Sequence, residues 1–168
     1  SDLNCSGLNH DQVEAVAQAM NQAIFCLTGS AGTGKTTVIK SIIENIEKHE
    51  PHNKILLLAP TGKAAKRMSQ VTGLPAYTIH KILEYSFDQE VDFQRNENNP
   101  LVVDTVIIDE ATMCDVSLMG SLLEAIPDAT RLILVGDIFQ LPSIGVGRVF
   151  GDLLKSDAIP SVELLTIH

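Results

Sequence analysis

The nine residues Gly29-Ser30-Ala31-Gly32-Thr33-Gly34-Lys35-Thr36-Thr37 fit the pattern G-x-x-x-x-G-K-[ST] and constrain the fold more than any other stretch of the chain. Such a loop functions only between a buried strand and the start of a helix, and both flanks are present. Residues 23–28 form an apolar-leaning run before it, and Val38-Ile39, Ile42-Ile43 and Ile46 recur at helical spacing after it. The glycines permit backbone conformations that a side chain would block, so successive N–H groups can turn toward one anion. The N-terminus of the following helix adds partial positive charge. The segment therefore reads as a cradle for the phosphates of ATP or GTP. Lys35 would reach the β- and γ-phosphates and Thr36 would ligate Mg²⁺. A chance match in a Gly-rich turn is the alternative, and it leaves the flanking strand and helix unexplained.

The rest of the chain alternates strand and helix in the same manner. Apolar runs at 23–28, 54–59, 105–108, 131–135 and 161–167 predict strands, and helical periodicity predicts helices at 11–20, 35–49, 63–70, 115–126 and 146–154. Near-continuous apolar strands separated by helices imply an α/β fold, a parallel sheet covered by helices on both faces. Ligands then belong at the carboxyl ends of the strands, and the phosphate loop lies at such an end. A chain of 168 residues suits one domain, and 45% hydrophobic residues without Trp suit a core of Val, Ile and Leu. No apolar run has membrane-spanning length and no signal-peptide pattern opens the chain. Cys5, Cys26 and Cys114 have no metal-binding spacing and read as reduced thiols, which points to a cytoplasmic location.

A second motif ends a strand in two acids: Thr105-Val106-Ile107-Ile108-Asp109-Glu110. Asp109 would hold Mg²⁺, directly or through water, and Glu110 would accept the proton of a water attacking the γ-phosphate. A plain strand-to-turn boundary is the alternative for the motif taken alone. A third strand end, Leu134-Val135-Gly136-Asp137-Ile138-Phe139-Gln140-Leu141-Pro142, carries a neutral Gln140. That side chain can donate to a phosphate oxygen and accept from water, or it can simply face solvent. The net charge of −9 excludes a broadly basic nucleic-acid-binding surface. Lys63, Lys66 and Arg67 form a compact basic cluster, read from charge alone as a solvated helix face.

With these residues in hand, the chain resembles the RecD-like branch of the superfamily 1B DNA helicases over essentially its whole length. The resemblance is to the first RecA-like, P-loop motor domain, and it rests on six motifs in order. Gln12, in Leu8-Asn9-His10-Asp11-Gln12-Val13, is similar to a glutamine that reads adenine, and the loop ending in Thr36-Thr37 is similar to motif I. Ala59-Pro60-Thr61-Gly62-Lys63-Ala64-Ala65-Lys66-Arg67-Met68 resembles motif Ia, and Thr78-Ile79-His80-Lys81-Ile82-Leu83 resembles motif Ib. Both imply contact with a single DNA strand through Pro60, Thr61, Lys63, Thr78 and His80. A helix cap explains Thr78 equally well. Asp109-Glu110-Ala111-Thr112-Met113 and the Gly136-to-Pro142 segment resemble motifs II and III.

The resemblance implies a DNA helicase that hydrolyses ATP with Mg²⁺ to move 5′ to 3′ along single-stranded DNA, in recombination or repair. Lys35, Glu110 and Gln140 would be catalytic, with Gln12 and the loop residues holding nucleotide and Thr36 and Asp109 holding the metal. Residues 84–100 occupy the place of a small hairpin that relatives use to split the duplex, with a surface excursion as the alternative. A second RecA-like domain, supplying arginines to the γ-phosphate, would follow His168 in a longer parent. Such arginines are worth on the order of 10³-fold or more in rate, so these 168 residues alone should turn ATP over barely at all. Implied partners are that second domain, single-stranded DNA and, within a recombination complex, nuclease or helicase subunits. Two other readings stay open: a P-loop ATPase acting on protein, and a non-enzymatic scaffold.

Overall fold

The computed structural model describes residues 3–30, 32–83, 95, 97–137 and 159–165. Six strands form one sheet: β1 (Ile24–Gly29), β2 (Ile55–Ala59), β3 (Ala76–Thr78), β4 (Thr105–Ile108), β5 (Arg131–Gly136) and β6 (Ser161–Leu164). Their order is β3-β2-β4-β5-β1-β6, and every pairing is parallel. The helices among the described residues are α1 (His10–Asn21), α2 (Lys35–His49), α3 (Gly62–Thr72), α4 (Ile79–Ile82) and α5 (Val116–Ala125).

The apolar runs arise because each central strand is buried on both faces. Alternate side chains of one strand enter different cores. Leu57, Ile107, Ile133, Phe25 and Leu27 pack with Val38, Ile42 and Ile46 of α2 and with Ala15, Val16 and Ala19 of α1. Leu56, Leu58, Val106, Ile108, Leu132 and Leu134 pack on the other face with Leu118, Met119 and Leu122 of α5. Ile42 and Ile46 are fully buried, each contributing about 1.5–3 kcal/mol through area removed from water. No helix among the described residues is long and apolar enough to cross a membrane.

Helix boundaries follow their caps. Asn9 and Gln12 form a reciprocal capping box at α1, Thr61 caps α3 and Asp115 caps α5. The structure adds three short elements to those expected, the edge strand β3, the single turn α4 and the 3₁₀ turn Ala111–Met113. It also ends β6 at Leu164, before residue 167. Three and four residues are too few to show a period; β3 is set by its pairing with β2, and α4 packs against β3 and α5. The helix expected at 146–154 lies outside the described residues, as does most of the 84–100 segment.

Candidate nucleotide site

β1, β4 and β5 are neighbours, so their carboxyl ends open onto one cleft of about 730 Å³. β1 delivers the phosphate-loop residues, of which Ala31 lies outside the described residues. Gly34 takes a left-handed conformation, φ 88°, as the cap of α2. Gly29 is required for a different reason: a Cβ there would lie 2.6 Å from Thr33 Oγ1 and 3.1 Å from the Leu164 carbonyl. Thr33 closes the turn, donating its hydroxyl to the Ser30 carbonyl at 2.7 Å. The Lys35 ammonium donates to the carbonyls of Gly29 and Ser30, the latter at 3.0 Å. Thus the loop already curls around a cation whose present partners are exchangeable backbone oxygens.

Facing the loop, β4 leads into Asp109 and Glu110. The Asp109 N–H donates to the Leu58 carbonyl at 2.9 Å, which prolongs the β2–β4 pairing to the cleft floor. Burial raises the Asp109 pKa above the usual carboxylate value, and the charge of Glu110 adds to the rise. The Glu110 N–H that Asp109 accepts at 2.9 Å, and the cations Lys35 and Arg67, offset part of it. Such a site favours an added positive charge beside Asp109. Thr36 lines the same cleft. Among the described residues no cluster of three or more His, Cys, Asp or Glu could hold a metal by itself. A hydroxyl and one carboxylate are instead the hard oxygen donors that Mg²⁺ combines with phosphate oxygens and water. The donor set therefore fits a magnesium nucleotide.

Glu110 is a non-glycine residue with positive φ, at 50°, ψ 39°. It turns the chain from β4 into the 3₁₀ turn Ala111–Met113, where Thr112 packs so close to Gly136 that a Cβ there would sit 3.0 Å from its methyl. Gly136 at the end of β5, and Asp137 after it, complete the wall. Gln140 lies outside the described residues. Gln12 is buried beside the loop. Its side chain accepts the Asn9 N–H at 3.0 Å and donates to the Gly34 carbonyl at 3.5 Å, so it tethers α1 to the loop.

The residues expected at a DNA strand gather at a second edge. Ala59 and Thr78 are register partners, so Pro60 and Thr61 leave β2 beside the point where Thr78 and His80 leave β3. Thr61 accepts the Ala64 N–H and Thr78 accepts the Lys81 N–H, each at 3.2 Å, so both hydroxyls cap helices. Lys63 and His80 are exposed. Arg67, expected as part of a solvated cluster, is exposed and also lines the nucleotide cleft, its Nη1 3.5 Å from Glu110 Oε1. Its position one turn past Lys63 is visible in the sequence, but its partner depends on the order of the strands. Cys26 and Cys114 are buried free thiols, as expected, and burial pushes both up to about 12, so neither is a nucleophile at neutral pH.

Residues 12–146 match the family described as AAA domain. The chain is 36% identical over 162 residues to the ATP-dependent RecD2 DNA helicase of Deinococcus radiodurans, covering 96% of this chain and 22% of that protein. It is 35% identical over 180 residues to the RecBCD enzyme subunit RecD of Mycolicibacterium smegmatis, covering 94% and 32%. The chain thus spans about a fifth to a third of the length of these curated relatives. In fold it is similar to the Pif1 helicase of Candida albicans, with TM-score 0.71 and 24% identity over 96% of this chain and 40% of that one. A Bacteroides Pif1 in complex with ADP-AlF4 superposes with TM-score 0.62 and 22% identity, over 95% and 42%. The chain belongs to the AAA domain family, and its sequence is similar to RecD-type proteins within it.

Proposed function

We propose that this chain is the ATP-binding half of a DNA helicase motor. The observation that carries the reading is the meeting of Lys35, Thr36, Asp109 and Glu110 in one cleft, delivered by separate strand ends. The relatives' names, an ATP-dependent DNA helicase and a RecBCD subunit, support it. Because those relatives are several times longer, the activity is assigned to a longer protein in which a second RecA-like domain closes over the γ-phosphate. Lys35 exchanges its two carbonyl partners for phosphate oxygens. Thr36 and Asp109 would hold Mg²⁺, which when bound would supply positive charge beside the phosphates. Glu110 takes the proton of the attacking water, and Gln140 couples phosphate state to the strand. Gln12 stands beside the loop to meet adenine.

Pro60, Thr61, Lys63, Thr78 and His80 form the single-strand edge. With a net charge of −9, DNA contact through this domain is local, so its salt dependence should be shallow. The remainder of the proposal is movement 5′ to 3′, a cytoplasmic role in recombination or repair, and nuclease or helicase subunits as candidate partners. The isolated domain should bind nucleotide weakly with almost no turnover. The test is ATP hydrolysis by the full-length protein with and without single-stranded DNA. Strong stimulation, lost in Glu110→Gln while ATP binding persists, supports the motor. Hydrolysis indifferent to DNA would move the assignment to an ATPase acting on protein.

A further inference from the structure

Two features bear on where the carboxylate of Glu110 points. Its backbone sits in the left-handed region, which limits how the chain can re-aim the side chain. Its carboxylate faces Arg67 across 3.5 Å, and Arg67 comes from α3 rather than from β4 or the phosphate loop. α3 is the helix that begins at the strand edge, with Thr61 as its cap and Lys63 in its first turn. Lys63 and Arg67 are four residues apart, on one helix face. That face therefore runs from the proposed DNA edge to the nucleotide cleft. Arg67 and Glu110 remain 62% and 42% exposed, so the pair is weak and readily exchanged.

We propose that Arg67 is a positioning residue that reports occupancy of the strand edge to Glu110. With the edge empty, it holds one oxygen of the hydrolytic carboxylate against α3. A guanidinium can grip phosphate in a bidentate fork, whereas its recorded contact with Glu110 is a single exposed one at 3.5 Å. A phosphate backbone seated along the Lys63–Arg67 face draws Arg67 away and frees Glu110 for water. The inference rests on the helicase reading of that edge and of Glu110.

The experiment measures ATP hydrolysis by the full-length protein, with and without saturating oligothymidylate, for the unaltered sequence, Arg67→Ala, Arg67→Gln and Arg67→Lys. Loss of an exposed pair releases Glu110 by about two- to five-fold. Arg67→Ala and Arg67→Gln should therefore raise the DNA-free rate by that factor. The DNA-saturated rate should stay within about two-fold, so the stimulation ratio shrinks. Arg67→Lys, which keeps the charge, should restore most of the restraint. An unchanged DNA-free rate in both neutral variants would overturn the proposal, as would an equal fall of both rates. If the unaltered protein is not stimulated by DNA, the helicase reading itself falls; stimulation with unmoved ratios sinks the Arg67 link alone.

Discussion

Replacing Glu110 with glycine and, separately, with alanine isolates the backbone at the site from its chemistry. Both substitutions remove the carboxylate and the Arg67 pair, so those contributions cancel between them. What differs is the left-handed conformation at φ 50°, ψ 39°. An L-residue there costs about 1–2 kcal/mol, which glycine avoids. Glycine gives back about 0.4–1 kcal/mol because its unfolded chain is freer. The balance favours the glycine variant by roughly 1 kcal/mol, or about 2–4 °C in melting temperature for a domain of this size. In an ordinary helix or strand the order is reversed, with glycine about 0.5–1 kcal/mol less stable than alanine. The prediction is therefore one of sign, readable by thermal unfolding of the nucleotide-free domain followed by circular dichroism. An alanine variant as stable as the glycine variant, or more so, would refute the strained backbone. The proposed base would then owe nothing of its placement to the turn.

Lys35→Ala should weaken binding of magnesium ATP by about 30- to 150-fold, the equivalent of about 2–3 kcal/mol for charge-assisted bonds to phosphate, by calorimetric titration. Affinity within about three-fold of the unaltered domain would contradict the role. Asp109→Asn should raise the melting temperature of the nucleotide-free domain at neutral pH while abolishing magnesium-dependent nucleotide binding. Folding raises the Asp109 pKa, chiefly by burial, so the ionised carboxylate destabilises the fold above that pKa. The advantage of asparagine should therefore shrink as pH falls through the raised value. A gap that widens on acidification would reverse the assignment.

The parallel sheet is legible in the sequence because its central strands are long enough, and apolar enough, to announce themselves. Residues 105–108 form a strand with the expected bounds, since all four of Thr105, Val106, Ile107 and Ile108 are buried. The phosphate loop and the Asp109-Glu110 pair can likewise be assigned to strand ends from local sequence. β3 cannot: Ala76, Tyr77 and Thr78 are partly buried, and only the register against Leu57, Leu58 and Ala59 makes them a strand. Gln12 shows the same limit. Its spacing from Asn9 is a capping pattern, but its bond to Gly34 depends on how α1 lies beside the loop. Arg67 reads as one of three clustered cations, and its contact with Glu110 arises only because β4 lies beside β2. Contacts that cross the sheet leave no local signal, and it is these that connect the two edges of the domain.

The position of β1 has a consequence for how the protein is made. Its two hydrogen-bonded neighbours are β5 and β6, and Thr28 meets Val162 across 134 positions of sequence. At about 5–20 residues per second, a ribosome needs on the order of ten seconds to supply those partners. During that interval β2, β3 and β4 can pair among themselves, while Phe25 and Leu27 wait without a sheet. The carbonyl of Leu164, which closes over Gly29, arrives last. Nucleotide therefore meets a complete loop wall only after β5 and β6 have joined β1, and until then the nascent chain is at a stage in which β1 has no strand partner. Slower synthesis at low temperature prolongs that stage, whereas a holding chaperone would shelter it.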